Sequence, residues 1–134
     1  MKQNRGFANP EIMITLAAVL IVLAIATPPA VRMMERRRVQ KALSTLRAAV
    51  ARYAADTKTK GPIDLSDLTK EGKYLPELPA VGLSGFHSKS SRVGALTDDT
   101  GGWVYSSWPG DPREGAVWFN CTHTDSRGTS WSAY

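Results

Sequence analysis

Residues 1–31 read MKQNRGFANPEIMITLAAVLIVLAIATPPAV. Two positive charges, Lys2 and Arg5, precede Gly6. Glu11 follows, and then the 20 residues from Ile12 to Val31 carry no charge. As a helix, such a run rises about 30 Å, the hydrocarbon thickness of a bilayer. Two ordinary readings fit that much. One is a cleaved secretory signal, with Lys2 and Arg5 as its positive region and Ala24-Ile25-Ala26 as a small-x-small cleavage site. The other is a plain membrane anchor. Glu11 argues against both, because a carboxylate carried into hydrocarbon costs about 2.5–3.5 kcal/mol and neither needs one. An interfacial Glu11, favoured by the helix dipole, remains an alternative.

The spacing around Glu11 is more specific. Gly6 closes a short basic leader and Phe7 follows it. Counting from Phe7, Glu11 is the fifth residue and Pro28 the twenty-second. This pattern resembles the prepilin signal of type IV pilins and type II secretion pseudopilins, over about residues 5–30. The resemblance implies cleavage after Gly6 by a prepilin peptidase, and methylation of the new N-terminus at Phe7. It also implies assembly through the helix, with Glu11 and Pro28 in the positions of the family's glutamate and helix-bending proline. A carboxylate buried among packed apolar helices needs a cationic partner. In the family that partner is taken to be the freed α-amino group of a neighbouring subunit. Between Phe7 and Glu11 this chain has Ala8-Asn9-Pro10 where the family is usually more apolar. Asn9 is a candidate helix cap, and Pro10 suits the first helical position. Pro28-Pro29 predicts a bend or melted segment over Thr27–Ala30.

Beyond Val31 the composition changes. The formal net charge of +5 divides into +2 for residues 1–6, −1 at Glu11, +7 for residues 32–60 and −3 for residues 61–134. The basicity therefore belongs to one segment, which argues against a generally basic nucleic-acid-binding domain. From Val31 to about Asp56 no Gly or Pro occurs. Val39, Leu43, Leu46, Val50 and Tyr53 recur at steps of three and four, the mark of an amphipathic helix. Arg36, Arg37, Arg38, Lys41, Arg47 and Arg52 lie largely off that stripe. They read as a solvated face, or as contacts to headgroups and acidic neighbours. DNA binding through Arg36–Arg38, as in a competence pilin, is the sharper alternative. Aromatic residues are not interleaved with these charges, so nucleic acid is not an expected partner.

Gly61-Pro62 is expected to end the helix. A short helix near Ser66–Glu71, capped by Ser66, and an irregular loop follow. Trp103-Val104-Tyr105 and Val117-Trp118-Phe119 read as an antiparallel hairpin around the turn-rich residues 106–115. The four tryptophans, all after residue 100, are expected to supply its core. The single cysteine, Cys121, is expected to be buried as a small apolar residue rather than paired between chains. His87 has no His or Cys at metal-ligand spacing and reads as a surface residue. Asp98, Asp99 and Asp111 are calcium candidates because carboxylates are hard ligands, but no fixed-spacing calcium loop is present and solvated turn aspartates are the simpler account. No metal or other cofactor is otherwise expected, and no catalytic motif is present.

These readings combine into an α+β chain with a long N-terminal helix, half membrane-inserted and half amphipathic, on a small C-terminal antiparallel sheet. Residues 1–6 form the leader, 7–31 the membrane and assembly half, 32–60 the basic amphipathic helix, and 61–134 the globular domain. The resemblance implies a filament subunit rather than an enzyme. Its expected partners are copies of itself, the prepilin peptidase, a pilus or secretion assembly platform and the inner membrane. The precursor is expected as a single-pass protein of the bacterial inner membrane, and the assembled form as a periplasmic or extracellular filament. A membrane-anchored periplasmic binding module is the alternative.

Overall fold

A computed structural model describes residues 10–134, with the side chains of residues 26–29 outside that description. Gly6, Phe7 and the Asn9 cap therefore lie outside the described residues. Helix α1 spans Pro10–Thr57, 48 residues, with Glu11 in its first turn, where the dipole favours a carboxylate. It runs without interruption through Thr27–Ala30, so the expected melted segment is not there. A proline ring holds φ near −65°, which is itself a helical value, so two missing donors need not unwind a backbone that is helical on both sides. The C-terminus is set by Lys58, whose φ of 57° puts it in the left-handed region. Thr59 N–H then reaches back to the Ala54 carbonyl at 3.2 Å. That is the six-to-one bond of a Schellman cap, and it stops the helix before Gly61-Pro62.

The chain divides into two compact units, residues 1–33 and 34–134. In the second unit the predicted stripe is the buried one. Val39, Leu43, Leu46 and Val50 are at most 5% exposed, and Ala42 and Ala49 join them. They pack on Leu65, Leu68, Trp103, Tyr105, Val117 and Phe119 in one continuous core. A 3₁₀ helix at Leu65–Gly72 contributes Leu65 and Leu68 to this core. Its cap is Asp64, not Ser66. The Asp64 carboxylate accepts the Ser66 N–H at 2.7 Å, and Asp67 returns a contact to the Asp64 N–H. A carboxylate can accept from N–H groups ahead of it, whereas Ser66 already lies within the first turn.

Five short strands follow: β1 (Val81–Leu83), β2 (His87–Ser90), β3 (Val93–Gly94), β4 (Trp103–Tyr105) and β5 (Val117–Phe119). The expected hairpin is β4–β5, antiparallel, with Trp103 opposite Phe119 and Tyr105 opposite Val117. The sheet is larger than expected, because β3 joins β4 in parallel. A second, two-stranded antiparallel ladder, β1–β2, occupies part of the segment read as irregular loop. The overall class is α+β, as expected. The tryptophans divide: Trp103 and Trp131 are core, Trp118 is half-buried, and Trp108 is 73% exposed. The buried indole N–H of Trp103 is satisfied by the Pro79 carbonyl at 2.7 Å.

Candidate functional site

The first candidate is the apolar half of α1. Among the described residues, α1 is long and apolar enough to cross a membrane by length and composition. Its large side chains face outward: Ile12, Ile14, Leu16, Leu20, Val22 and Ile25 are each 57–72% exposed. So wide a contiguous apolar surface marks a membrane or protein contact. Glu11 is exposed at the head of this surface, and among the described residues its carboxylate makes no ion pair. Pro28 lies inside the helix.

Part of the basic half of α1 is engaged by the fold. Arg47 donates to the Val117 carbonyl at 2.9 Å and to the Tyr134 carbonyl at 2.6 Å, so it ties the helix to β5 and to the last residue. Arg52 donates to the Tyr74 carbonyl at 2.8 Å. Arg36 stacks 5.1 Å over the Tyr134 ring, with Asp125 at 3.8 Å. Arg47 and Arg52 are thus charged donors to backbone carbonyls, one of them in β5, that would otherwise need another partner. Arg37 and Arg38 remain exposed.

The second candidate lies at the end of the sheet. Four side chains converge there: His87 from β2, Asp99 from the loop before β4, and Cys121 and His123 from the segment after β5. One ligand atom from each falls within 4.8 Å of all the others. Asp99 Oδ1 sits 3.3 Å from His87 Nε2 and 3.3 Å from His123 Nδ1. Cys121 Sγ is 3.5 Å from His123 Nδ1. His87 is not a surface residue as expected. Its side chain is 7% exposed, and its buried Nε2 makes no hydrogen bond despite the nearby carboxylate. A buried polar atom left unpaired costs about 1–3 kcal/mol.

Local chemistry holds these groups in place. Asn120, 2% exposed, accepts the N–H groups of Asp98 and Asp99 on its side-chain oxygen, at 3.0 and 3.1 Å. Its amide donates to Asp98 at 2.7 Å and Thr100 at 3.2 Å. This pins the 98–100 loop beside Cys121. Asp99 itself is left-handed, φ 61°, and its Oδ1 accepts the Thr122 N–H at 2.8 Å. That hydrogen bond is the main reason its carboxyl is held below the usual carboxylate range. Gly101, at φ 78°, leaves room for the imidazole: a Cβ there would come within 3.1 Å of His87 Cβ. Phe86 covers the His123 ring at 4.2 Å, and Phe119 meets His87 edge-on at 6.2 Å.

Of the calcium candidates, only Asp99 enters this cluster. Asp98 is used by Asn120 and Thr100, and Asp111 accepts the Arg113 N–H and the Ser106 hydroxyl. The cluster escaped sequence reasoning because His87 and Cys121 are 34 residues apart. The usable signal was Cys121-Thr122-His123, two ligand types at the two-residue spacing that returns to one side of extended chain. No family model matches the chain, and no curated protein or solved structure matches it significantly.

Proposed function

We propose that the protein is a structural filament subunit of the type IV pilin or pseudopilin kind, anchored as a precursor by α1 and assembled through it. The observation that carries this reading is Glu11 at the head of an exposed, otherwise uncharged helical run that starts at Ile12. A plain anchor gains from a carboxylate there only the helix-dipole contribution of about 0.3–1 kcal/mol. In a bundle of such helices the carboxylate would meet a neighbour's freed amine, and buried polar pairs are best attested as devices that set register. Of the Arg36–Arg38 trio, Arg36 is held by Asp125 and the Tyr134 ring, which leaves only Arg37 and Arg38 of the three for phosphate contacts and favours a structural role over DNA uptake.

Intact-mass spectrometry after co-expression with a prepilin peptidase tests the processing step. The expected product lacks residues 1–6 and carries one added methyl group at Phe7. Cleavage after Ala26 instead would make the segment an ordinary signal and end this reading. Glu11→Ala tests assembly: the protein is expected to insert normally and to yield few or no filaments. Unchanged function in that variant would favour the anchored binding module.

A further inference from the structure

We propose that His87, Asp99, Cys121 and His123 form a four-ligand site for a transition-metal dication, with zinc the ion it fits best. The site stands independently of filament assembly.

Geometry carries the case. A tetrahedral zinc ion with Zn–N and Zn–O bonds of about 2.0–2.1 Å and a Zn–S bond of about 2.3 Å has N···O edges of about 3.4 Å and S···N edges of about 3.6 Å. The two carboxylate–imidazole distances, 3.3 Å each, and the thiol–imidazole distance, 3.5 Å, match three of the six edges, and the other three ligand pairs lie within 4.8 Å. The His87 Nε2 atom is a second, separate observation. It is buried, aimed into the cluster and without a hydrogen-bond partner, and an imidazole lone pair in that position is what a metal ion satisfies. Asp99 is oriented by the Thr122 N–H, the kind of outer contact that fixes a ligating carboxylate.

Charge and ligand type select the ion. One carboxylate and one thiolate neutralise a dication. Two imidazoles and a sulfur suit zinc and its neighbours in the first transition row, whereas calcium takes six to eight oxygens. A nucleophilic thiol is the competing account of a Cys–His–Asp cluster. Cys121 is fully buried, so its sulfur is closed to an external substrate. Binding a dication displaces the thiol proton to solvent and forms the metal–sulfur bond. With four protein ligands the site is closed, so it is structural: it staples β2 and the 98–100 loop to the end of β5.

The test uses the full, untagged chain in detergent, stripped with a chelator and titrated with Co²⁺ and then Zn²⁺. The expected result is one ion per chain, a tetrahedral cobalt spectrum, and a thiolate-to-cobalt charge-transfer band that Zn²⁺ abolishes. Cys121 is the single cysteine, so that band reports on this site alone. Cys121→Ser is expected to remove the band, and His87→Gln, which deletes a direct ligand, to weaken zinc binding by more than the about 10–100-fold that losing an outer-shell partner costs. Cobalt bound without the charge-transfer band, or no stoichiometric binding, overturns the proposal on the unmodified chain, whether or not the variants fold. Zinc affinity unchanged by His87→Gln overturns it equally.

Discussion

Gly101 and Tyr105 show how much a single position constrains. Gly101 combines a left-handed φ of 78° with close contact to His87. Alanine there is expected to lower stability by about 1–2 kcal/mol for the backbone alone, plus the cost of moving the imidazole. Gly110 is the control, since its φ is 86° and a Cβ there meets nothing within 4 Å. Urea unfolding should rank Gly101→Ala below Gly110→Ala, and equal losses would show that His87 does not crowd the position. Tyr105 donates its buried hydroxyl to the Pro62 carbonyl at 2.7 Å. Burial, reinforced by Glu114, pushes that hydroxyl up to about 12 from an ordinary value of 10. The folded value lies above the unfolded one, so this contribution is complete below pH 10 and is lost as pH rises through 12. Tyr105→Phe is expected to flatten the alkaline limb of the stability curve by roughly 2–3 kcal/mol, read as urea midpoints between pH 9 and about 12.

At the scale of the element, α1 is two helices in composition and one in backbone. Its first half exposes its apolar residues, and its second half buries a stripe. Leu46, fully buried, marks the difference. Leu46→Ala is expected to cost about 2–5 kcal/mol by leaving a cavity against the sheet, measured by urea unfolding. Arg37→Ala, on the exposed side, is expected to stay within about 0.5 kcal/mol of the parent. The stripe was legible because a period of 3.6 residues is a property of the helix itself. The strands were legible only in part. β4 and β5 are aromatic and β-branched, and they stand out. By contrast, β2 reads His87-Ser-Lys-Ser90 and β3 is Val93-Gly94, with no alternation to find. Those two strands exist because their neighbours offer an open edge, and an edge belongs to the sheet rather than to the segment that pairs with it.

At the scale of the molecule, two units of opposite character share one chain. A chain beginning at Met34 keeps the whole core that packs on the sheet and loses the exposed apolar run. It is expected to be monomeric without detergent on size-exclusion chromatography, whereas the full chain needs detergent; aggregation of the shortened chain would mean that the first unit also protects the second. The sequence by itself determined the long helix, its apolar and amphipathic halves, the terminal hairpin and the α+β class. Each of these is encoded by local periodicity or by residue type within a short window. Only the tertiary structure decided how the prolines were accommodated, which tryptophans became core, and which arginines became structural. It alone brought His87 to Asp99, Cys121 and His123. Apart from the prolines, which the local helical backbone absorbs, those outcomes depend on contacts between residues far apart in sequence, where burial and distance, not order along the chain, set the chemistry.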